Sequence, residues 1–182
     1  MPEMRGREMT DICLIPYLKI EDRWTIEEPI IREMWCQMVA DNTWKTVFSK
    51  GIVNNEDTFI EFMRDPKNAI VTVWTDRPLG IAWLNGFDIG TAYCHFCMFS
   101  SCWGDLSIKA GHKILDYWFD FKSDGIPFLN VIIGVIPETN SLALKYIQMV
   151  GLRIAGVIPK LLYNHYERRN IGGVICYRER ED

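Results

Sequence analysis

The sequence predicts an α+β fold, in which a mixed, mostly antiparallel sheet lies between helices as an α/β/α sandwich. Three observations predict it. Helical and strand-like hydrophobic periods alternate along the chain. Residues 69–99 contain three strand-like stretches joined by tight turns, the pattern of an antiparallel meander. Residues 128–136 are almost continuously apolar, as expected of a strand that is buried on both faces beside a parallel neighbour.

The first part of the chain predicts one strand and two helices. Residues 12–20 are rich in apolar and β-branched side chains, which favours a strand. Thr25 and Glu28 have the spacing of a capping box, and apolar residues then recur at helical intervals as far as Asp41. A second, short helix is expected over residues 59–64, before a proline.

The middle of the chain predicts the meander and the helix that leaves it. Its strands are expected at residues 69–75, 80–87 and 91–99. Ser107 is expected to cap a helix over residues 108–122. Because that helix leads into the apolar strand, the two strands that it connects are expected to be parallel.

The last part predicts one helix and two strands. Asn140 is expected to begin the helix and Gly151 to end it, since apolar residues recur between them at helical spacing. Strand-like stretches follow at residues 153–166, broken at Pro159, and at residues 173–180.

Length and composition predict one domain, over residues 9–180. The chain has 182 residues, a formal net charge of −4 and 48% hydrophobic residues. This mild acidity argues against nucleic-acid binding, and the chain has no long apolar run to span a membrane. Residues 1–10 are polar and lack the apolar stretch of a signal peptide, so a cytoplasmic location is expected.

Three cysteines lie close together in sequence: Cys94, Cys97 and Cys102. They suggest a zinc site as a minor hypothesis. However, a structural zinc site needs further ligands at compatible spacing, and in a strand Cys94 and Cys97 point to opposite faces. No metal site is therefore expected.

One stretch carries a family pattern. It runs from the buried strand into a helix and beyond, and its matching residues are Asn140, Ala143, Gly151, Leu152 and Gly156. Together with the order of elements, this stretch resembles the Gcn5-related N-acetyltransferase (GNAT) family. The resemblance implies a GNAT-like sheet with a β-bulge and a splayed parallel pair. It also implies an N-acyltransferase that moves an acetyl group from acetyl-CoA to an unidentified amine acceptor, as a monomer or homodimer.

The resemblance also implies where the cofactor binds. Strands that diverge leave backbone groups unpaired, and those of Met98, Phe99 and Ser100 are expected to bind the pantetheine arm. The N-terminus of the following helix would face the pyrophosphate. The family's loop pattern, Gln/Arg-x-x-Gly-x-Gly/Ala, is degenerate here. Asp105 adds a negative charge, and the pattern fits poorly whether Gly104 or Gly111 is aligned with one of its glycine positions. The candidate loop residues are Trp103, as lid or loop anchor, Gly104, Ser107, Lys109 and Gly111, with Asn140 on the far side of the cleft.

Two catalytic residues are proposed from the sequence. The family often has a tyrosine acid seven residues after the asparagine; that position is Ile147 here, and Tyr146 lies one residue earlier. His95, on the strand that would line the cleft, is the first candidate base, with Asp88 and Glu138 as others. A packed position in the core explains Tyr146 more readily than a catalytic role, as a core or edge position does for His95, and a local helix cap would explain Asn140.

A second function is left open by the sequence. The degenerate loop and the displaced tyrosine are also compatible with a GNAT-fold binding or assembly protein that has lost its transferase activity. By analogy, divergent relatives of this kind are often bacterial or phage-borne.

Overall fold

The computed structural model describes residues 11–181. Its strands, in chain order, are β1 (Cys13–Pro16), β2 (Lys19–Ile20), β3 (Arg23–Trp24), β4 (Ala69–Trp74), β5 (Pro78–Asp88), β6 (Gly90–Met98), β7 (Lys122–Ser123), β8 (Ile126–Pro127), β9 (Leu129–Pro137), β10 (Arg153–Asn164) and β11 (Arg169–Glu179). The helices are α1 (Glu28–Ala40), α2 (Trp44–Val47), α3 (Glu56–Arg64), α4 (Asp105–Asp120) and α5 (Ser141–Met149).

A seven-stranded sheet forms the centre of the molecule. Its spatial order is β1-β4-β5-β6-β9-β11-β10. The β6–β9 pair is parallel, and the other neighbouring pairs in this sheet are antiparallel. The predicted mixed, mostly antiparallel sheet is therefore confirmed.

Two hydrophobic cores cover the two faces of this sheet. On one face, α4 and α5 bury side chains such as Ile114, Trp118 and Ile147 against the strands. On the other face, α1 and α3 bury Met34 and Phe59. Alternate residues of the central strands supply both cores, which gives the predicted α/β/α layering.

The parallel pair separates part-way along its length. Strands β6 and β9 are in register from Gly90–Leu129 to Tyr93–Ile133, with one irregularity after Gly90. Strand β6 then continues to Met98 and β9 to Pro137 without further pairing between them. The expected splayed pair is thus present, and a cleft opens between the diverging ends.

The first predicted strand is shorter than expected. It ends at Pro16, and the next residues form the small β2–β3 hairpin instead. The predicted capping box is also wrong, because Glu27 is the N-cap of α1. The Thr25 hydroxyl instead donates to the Pro16 carbonyl at 2.7 Å and accepts from the Leu18 amide at 3.2 Å. Thr25 therefore fastens the hairpin to β1.

Two other boundaries differ from the predictions. Helix α4 begins one turn early, because Gly104 with φ of 91° is its N-cap and the Ser107 hydroxyl donates to the Gly104 carbonyl. Strand β10 continues through Pro159, at a bulge between Ile158 and Leu162. A proline fits there because β10 is an edge strand.

Some predictions concern residues at the chain ends. Residues 1–10, on which the cytoplasmic expectation rests, and the predicted domain start at residue 9 lie outside the described residues. Within residues 11–181, no helix is long and apolar enough to cross a membrane.

Candidate active site

The cleft between β6 and β9 is a small cavity of about 130 Å³. We call it the splayed cleft. Both diverging strands, α2 and α5 line it, together with Trp83, Leu152 and Cys176. Three of the residues proposed from the sequence line it together: His95, Asn140 and Tyr146.

His95 reaches the cleft from β6 and is fixed by two neighbours. Its ring stacks on Trp83, with the ring centroids 4.8 Å apart, and its Nε2 lies 3.1 Å from the Asn85 Oδ1. A carbonyl oxygen only accepts, so this contact assigns the ring hydrogen to Nε2 and leaves a lone pair on Nδ1. Burial, with a smaller effect of the Lys50 charge, lowers the pKa of His95 to about 4. The imidazole is therefore neutral at neutral pH.

Tyr146 reaches the cleft from α5. Its hydroxyl donates to the Ser107 carbonyl in the first turn of α4 at 3.1 Å, and its ring packs edge-on against Phe96. Burial raises the pKa of the phenol, so the hydroxyl keeps its proton. Ile147 also lines the cavity, so both positions considered in the sequence face it. Tyr146 is thus a packed residue at the cleft whose protonated hydroxyl donates a hydrogen bond to Ser107.

Asn140 and Gly111 hold α5 in place. The Asn140 side chain accepts from the Ala143 amide at 3.1 Å, which confirms that it caps the helix. A Cβ added to Gly111 would lie 2.5 Å from both the Tyr146 hydroxyl and Val150. The glycine therefore allows α4 and α5 to approach closely, which places the tyrosine hydroxyl.

The end of β6 offers a backbone acceptor to the cleft. Phe99 donates its amide to Leu79 of β5 at 2.8 Å, so these residues form a hydrogen-bonded pair. In an antiparallel ladder, the backbone N–H and C=O groups of successive residues point to opposite sides of the strand. Those of Met98, the residue before Phe99, therefore point away from β5 and toward the side of β9. The indole Nε1 of Trp103 donates to the Met98 carbonyl at 2.9 Å.

The residues next to Met98 are bonded within the fold. Phe99 is buried, and its carbonyl accepts from the Cys102 amide at 2.8 Å. The Ser100 amide and hydroxyl both donate to the carboxylate of Asp41, at 2.7 and 2.6 Å. Of the three residues expected to bind the pantetheine arm through their backbone, Met98 is the one whose backbone faces the cleft in this structure.

The predicted phosphate loop forms the start of α4. Gly104 is the N-cap, Asp105 stands in the exposed first turn, and Ser107 is buried. Lys109 is exposed one turn further along. Lys113 donates to the carbonyl of Ile12, the residue before β1.

Comparison with known proteins assigns the fold. No protein-family model matches the chain, and no curated protein matches it. Solved structures do match. The microcin C7 self-immunity acetyltransferase MccE, in complex with acetyl-CoA and AMP, has a TM-score of 0.71 at 15% identity, covering 93% of this chain and 92% of that one.

Two other solved structures agree. A probable GNAT-family acetyltransferase from Chromobacterium violaceum has a TM-score of 0.70 at 14% identity, covering 98% and 93% of the two chains. Spermidine N-acetyltransferase from Vibrio cholerae, in complex with CoA and spermine, has a TM-score of 0.69 at 13% identity, covering 92% and 95%. The chain has the GNAT fold.

Sequence reasoning missed two residues of this GNAT-fold cleft. Asp41 ends α1 and holds Ser100, although 59 residues separate them. Asn85 lies on β5 and orients His95. A free carboxylate at a helix end gives no local signal of a distant partner. The antiparallel register does place Asn85 near His95, because His95 pairs with Trp83, which lies two residues before Asn85 on β5.

The cysteines divide as predicted. Cys94 is buried on the α4–α5 side of β6 and Cys97 on the α1–α3 side. Within residues 11–181, no group of three or more His, Cys, Asp or Glu side chains has the geometry to hold a metal ion.

A second, larger pocket lies at the other end of the GNAT-fold sheet. It has a volume of about 570 Å³ and is mostly apolar. We call it the far pocket. The β1–β2 connection, the ends of α3 and α4 and the start of β9 line it; its aromatic residues are Tyr17, Trp24, Phe87, Tyr117, Trp118, Phe121 and Phe128.

Proposed function

We propose that this protein is an N-acyltransferase that transfers an acetyl group from acetyl-CoA to an amine. The observation that carries the proposal is the splayed cleft, where a strand edge, a neutral imidazole and a protonated phenol converge. Similar folds add support, since MccE was solved with acetyl-CoA and the Vibrio cholerae enzyme with CoA.

The Met98 carbonyl fits an amide ligand. It faces the cleft and already accepts an N–H, from the indole of Trp103. The pantetheine arm of acetyl-CoA is an extended chain with two amide groups, so it can supply the same kind of donor. The N-terminus of α4, capped by Gly104 at the same end of the cleft, would face the pyrophosphate.

His95 and Tyr146 are then assigned opposite roles. Acetyl-CoA supplies an activated carbonyl carbon, which the amine nitrogen attacks. His95 accepts the proton that the attacking amine gives up, through the lone pair on Nδ1. Tyr146 donates its hydroxyl proton to the sulfur as the carbon–sulfur bond breaks, and afterwards regains a proton from solvent. The products are the amide and the free thiol.

The low pKa of His95 suits a late proton transfer. An imidazole with a pKa of about 4 is too weak a base to deprotonate a free ammonium ion. It can accept a proton from the much more acidic nitrogen that forms once the amine has attacked. The acceptor therefore has to enter the cleft as the neutral amine.

Calorimetric titration with acetyl-CoA tests the proposal first. We expect a saturable heat at one site per chain and release of free thiol when a panel of primary amines is added. Absence of heat at millimolar acetyl-CoA would contradict the proposal. That result would favour the second candidate, a GNAT-fold binding or assembly protein, for which the carboxylate of Asp105 in the first turn of α4 is the supporting observation.

A further inference from the structure

Trp103 occupies the position that an amide of the cofactor would need. Its indole N–H donates to the Met98 carbonyl at 2.9 Å, and this carbonyl is the acceptor at the open end of β6. A carbonyl oxygen can accept two hydrogen bonds, but the Met98 carbonyl points to the side of β9, and the indole donates to it there, where a ladder partner would bind. An extended chain that pairs with β6 has to displace the indole.

The side chain of Trp103 can move without a movement of the loop that carries it. The indole is 55% exposed, and its ring is fastened to the strand through that one nitrogen. By contrast, the loop before it is anchored twice, because Asp41 holds Ser100 and Cys102 is fully buried. Apart from the atoms of its two chain neighbours, no heavy atom among the described residues lies within 4 Å of a Cβ placed on Gly104, so the loop after Trp103 borders open space.

We propose that Trp103 is a determinant of cofactor affinity: its indole closes the strand edge in the free protein, and the pantetheine arm displaces it on binding. This inference rests on the proposed function. It assigns Trp103 a role different from that of a cofactor contact, because the residue opposes binding. Removing only its N–H should therefore strengthen binding.

Indole NMR signals of ¹⁵N-labelled protein report the displacement directly. The chain has seven tryptophans, and the Trp103 signal is assigned by its loss in Trp103→Phe. We expect CoA to shift this signal at saturation. Adenosine 3′,5′-bisphosphate, which has no pantetheine arm, should leave it in place. A Trp103 signal that CoA does not move, or that the bisphosphate moves equally, would overturn the proposal.

Calorimetry of variants gives the second arm. Trp103→Phe keeps an aromatic ring but loses a hydrogen bond, so we expect it to bind CoA about two- to tenfold more tightly. Trp74→Phe is the matched control, because the Trp74 indole also donates a hydrogen bond, to Thr72 at 2.7 Å on β4. Its affinity should equal that of the wild type.

The outcomes separate this proposal from the proposed function. If the wild type binds CoA and Trp103→Phe binds equally or more weakly, the displacement is wrong and the transferase proposal stands. If neither protein binds CoA, both fail. If Trp103→Phe binds and the wild type does not, the indole closes the cleft more firmly than expected, which supports the displacement.

Discussion

The two ends of the sheet differ in size and in chemistry. At one end the splayed cleft measures about 130 Å³ and is lined by His95 and Tyr146; β6 continues from there to Met98, whose carbonyl accepts from Trp103. At the other end the far pocket measures about 570 Å³ and is mostly apolar, with seven aromatic residues in its lining. The larger space therefore lies away from the residues that the sequence proposed for catalysis.

The reason for this difference is the geometry of the strands. Where β6 and β9 diverge, backbone groups lose their ladder partners and must be bonded by side chains or by a ligand. Trp103 bonds one of them, the Met98 carbonyl. Next to the far pocket β6 and β9 are still paired, and among the described residues the buried polar atoms without a hydrogen-bond partner there belong to side chains, Tyr17 and Arg64. The proposed ligand site therefore rests on the open strand edge and not on empty volume.

The largest effect is expected from Tyr146→Phe. Loss of the proton donor should lower kcat by about 10²- to 10⁴-fold, as is typical of general acid–base residues. A thiol-release assay measures it. Tyr163→Phe, at an exposed position on β10, is the control and should keep wild-type kcat. A Tyr146→Phe enzyme with kcat within threefold of the wild type would show that the phenol only packs.

His95 predicts a pH dependence of stability. Its pKa is about 4 in the folded protein and near 6.5 when unfolded, so the unfolded chain binds more protons between these values. The free energy of unfolding should therefore fall by about 3 kcal/mol as the pH drops from 6.5 to 4.

Urea unfolding at several pH values measures this loss. In His95→Gln the histidine contribution should disappear, so its stability should vary less with pH over the same range. His112→Gln, on the exposed side of α4, should keep the full wild-type dependence. Equal pH profiles for His95→Gln and the wild type would mean that His95 does not resist protonation.

Gly111→Ala tests the close approach of α4 and α5. The added methyl group would clash with the Tyr146 hydroxyl and Val150, which should destabilise the fold by about 1–3 kcal/mol and lower kcat as well. Gly156→Ala on β10 is the matched control, since no heavy atom among the described residues, apart from those of its two chain neighbours, lies within 4 Å of its Cβ position. If both variants unfold at the same urea concentration, the contact is not tight.

The smallest effect is expected from Asp105→Asn. Removing a negative charge from the first turn of α4 should tighten acetyl-CoA binding by about two- to fivefold, because a helix N-terminus attracts phosphate. Asp120→Asn, at the other end of the same helix, should leave the dissociation constant unchanged. A weaker affinity for Asp105→Asn would place the phosphates elsewhere.

Much of the fold could be predicted because its signals are local. The apolar run of β9 and the Asn140 cap of α5 are each encoded within a few residues. The start of α4 was misplaced because Ser107 and Gly104 are both acceptable caps in sequence. The positive φ of Gly104, which decides between them, depends on the loop around it.

The site was only partly predictable. His95 and Tyr146 could be proposed because the order of elements brings their segments to one cleft. The contacts of Asp41 with Ser100 and of Tyr146 with Ser107 join distant parts of the chain and follow no period. The proposed role of the Trp103 Nε1 depends on the direction in which the Met98 carbonyl points. The strand register shows that direction, and the sequence does not.

Hydrogen exchange with and without acetyl-CoA tests the central claim most directly. We expect acetyl-CoA to slow amide exchange at the end of β6 and in the first turn of α4, and to leave the segments around the far pocket unchanged. Protection around Leu18, Phe87 and Phe128, with none at Met98 or Gly104, would contradict the account and place the ligand at the other end of the sheet.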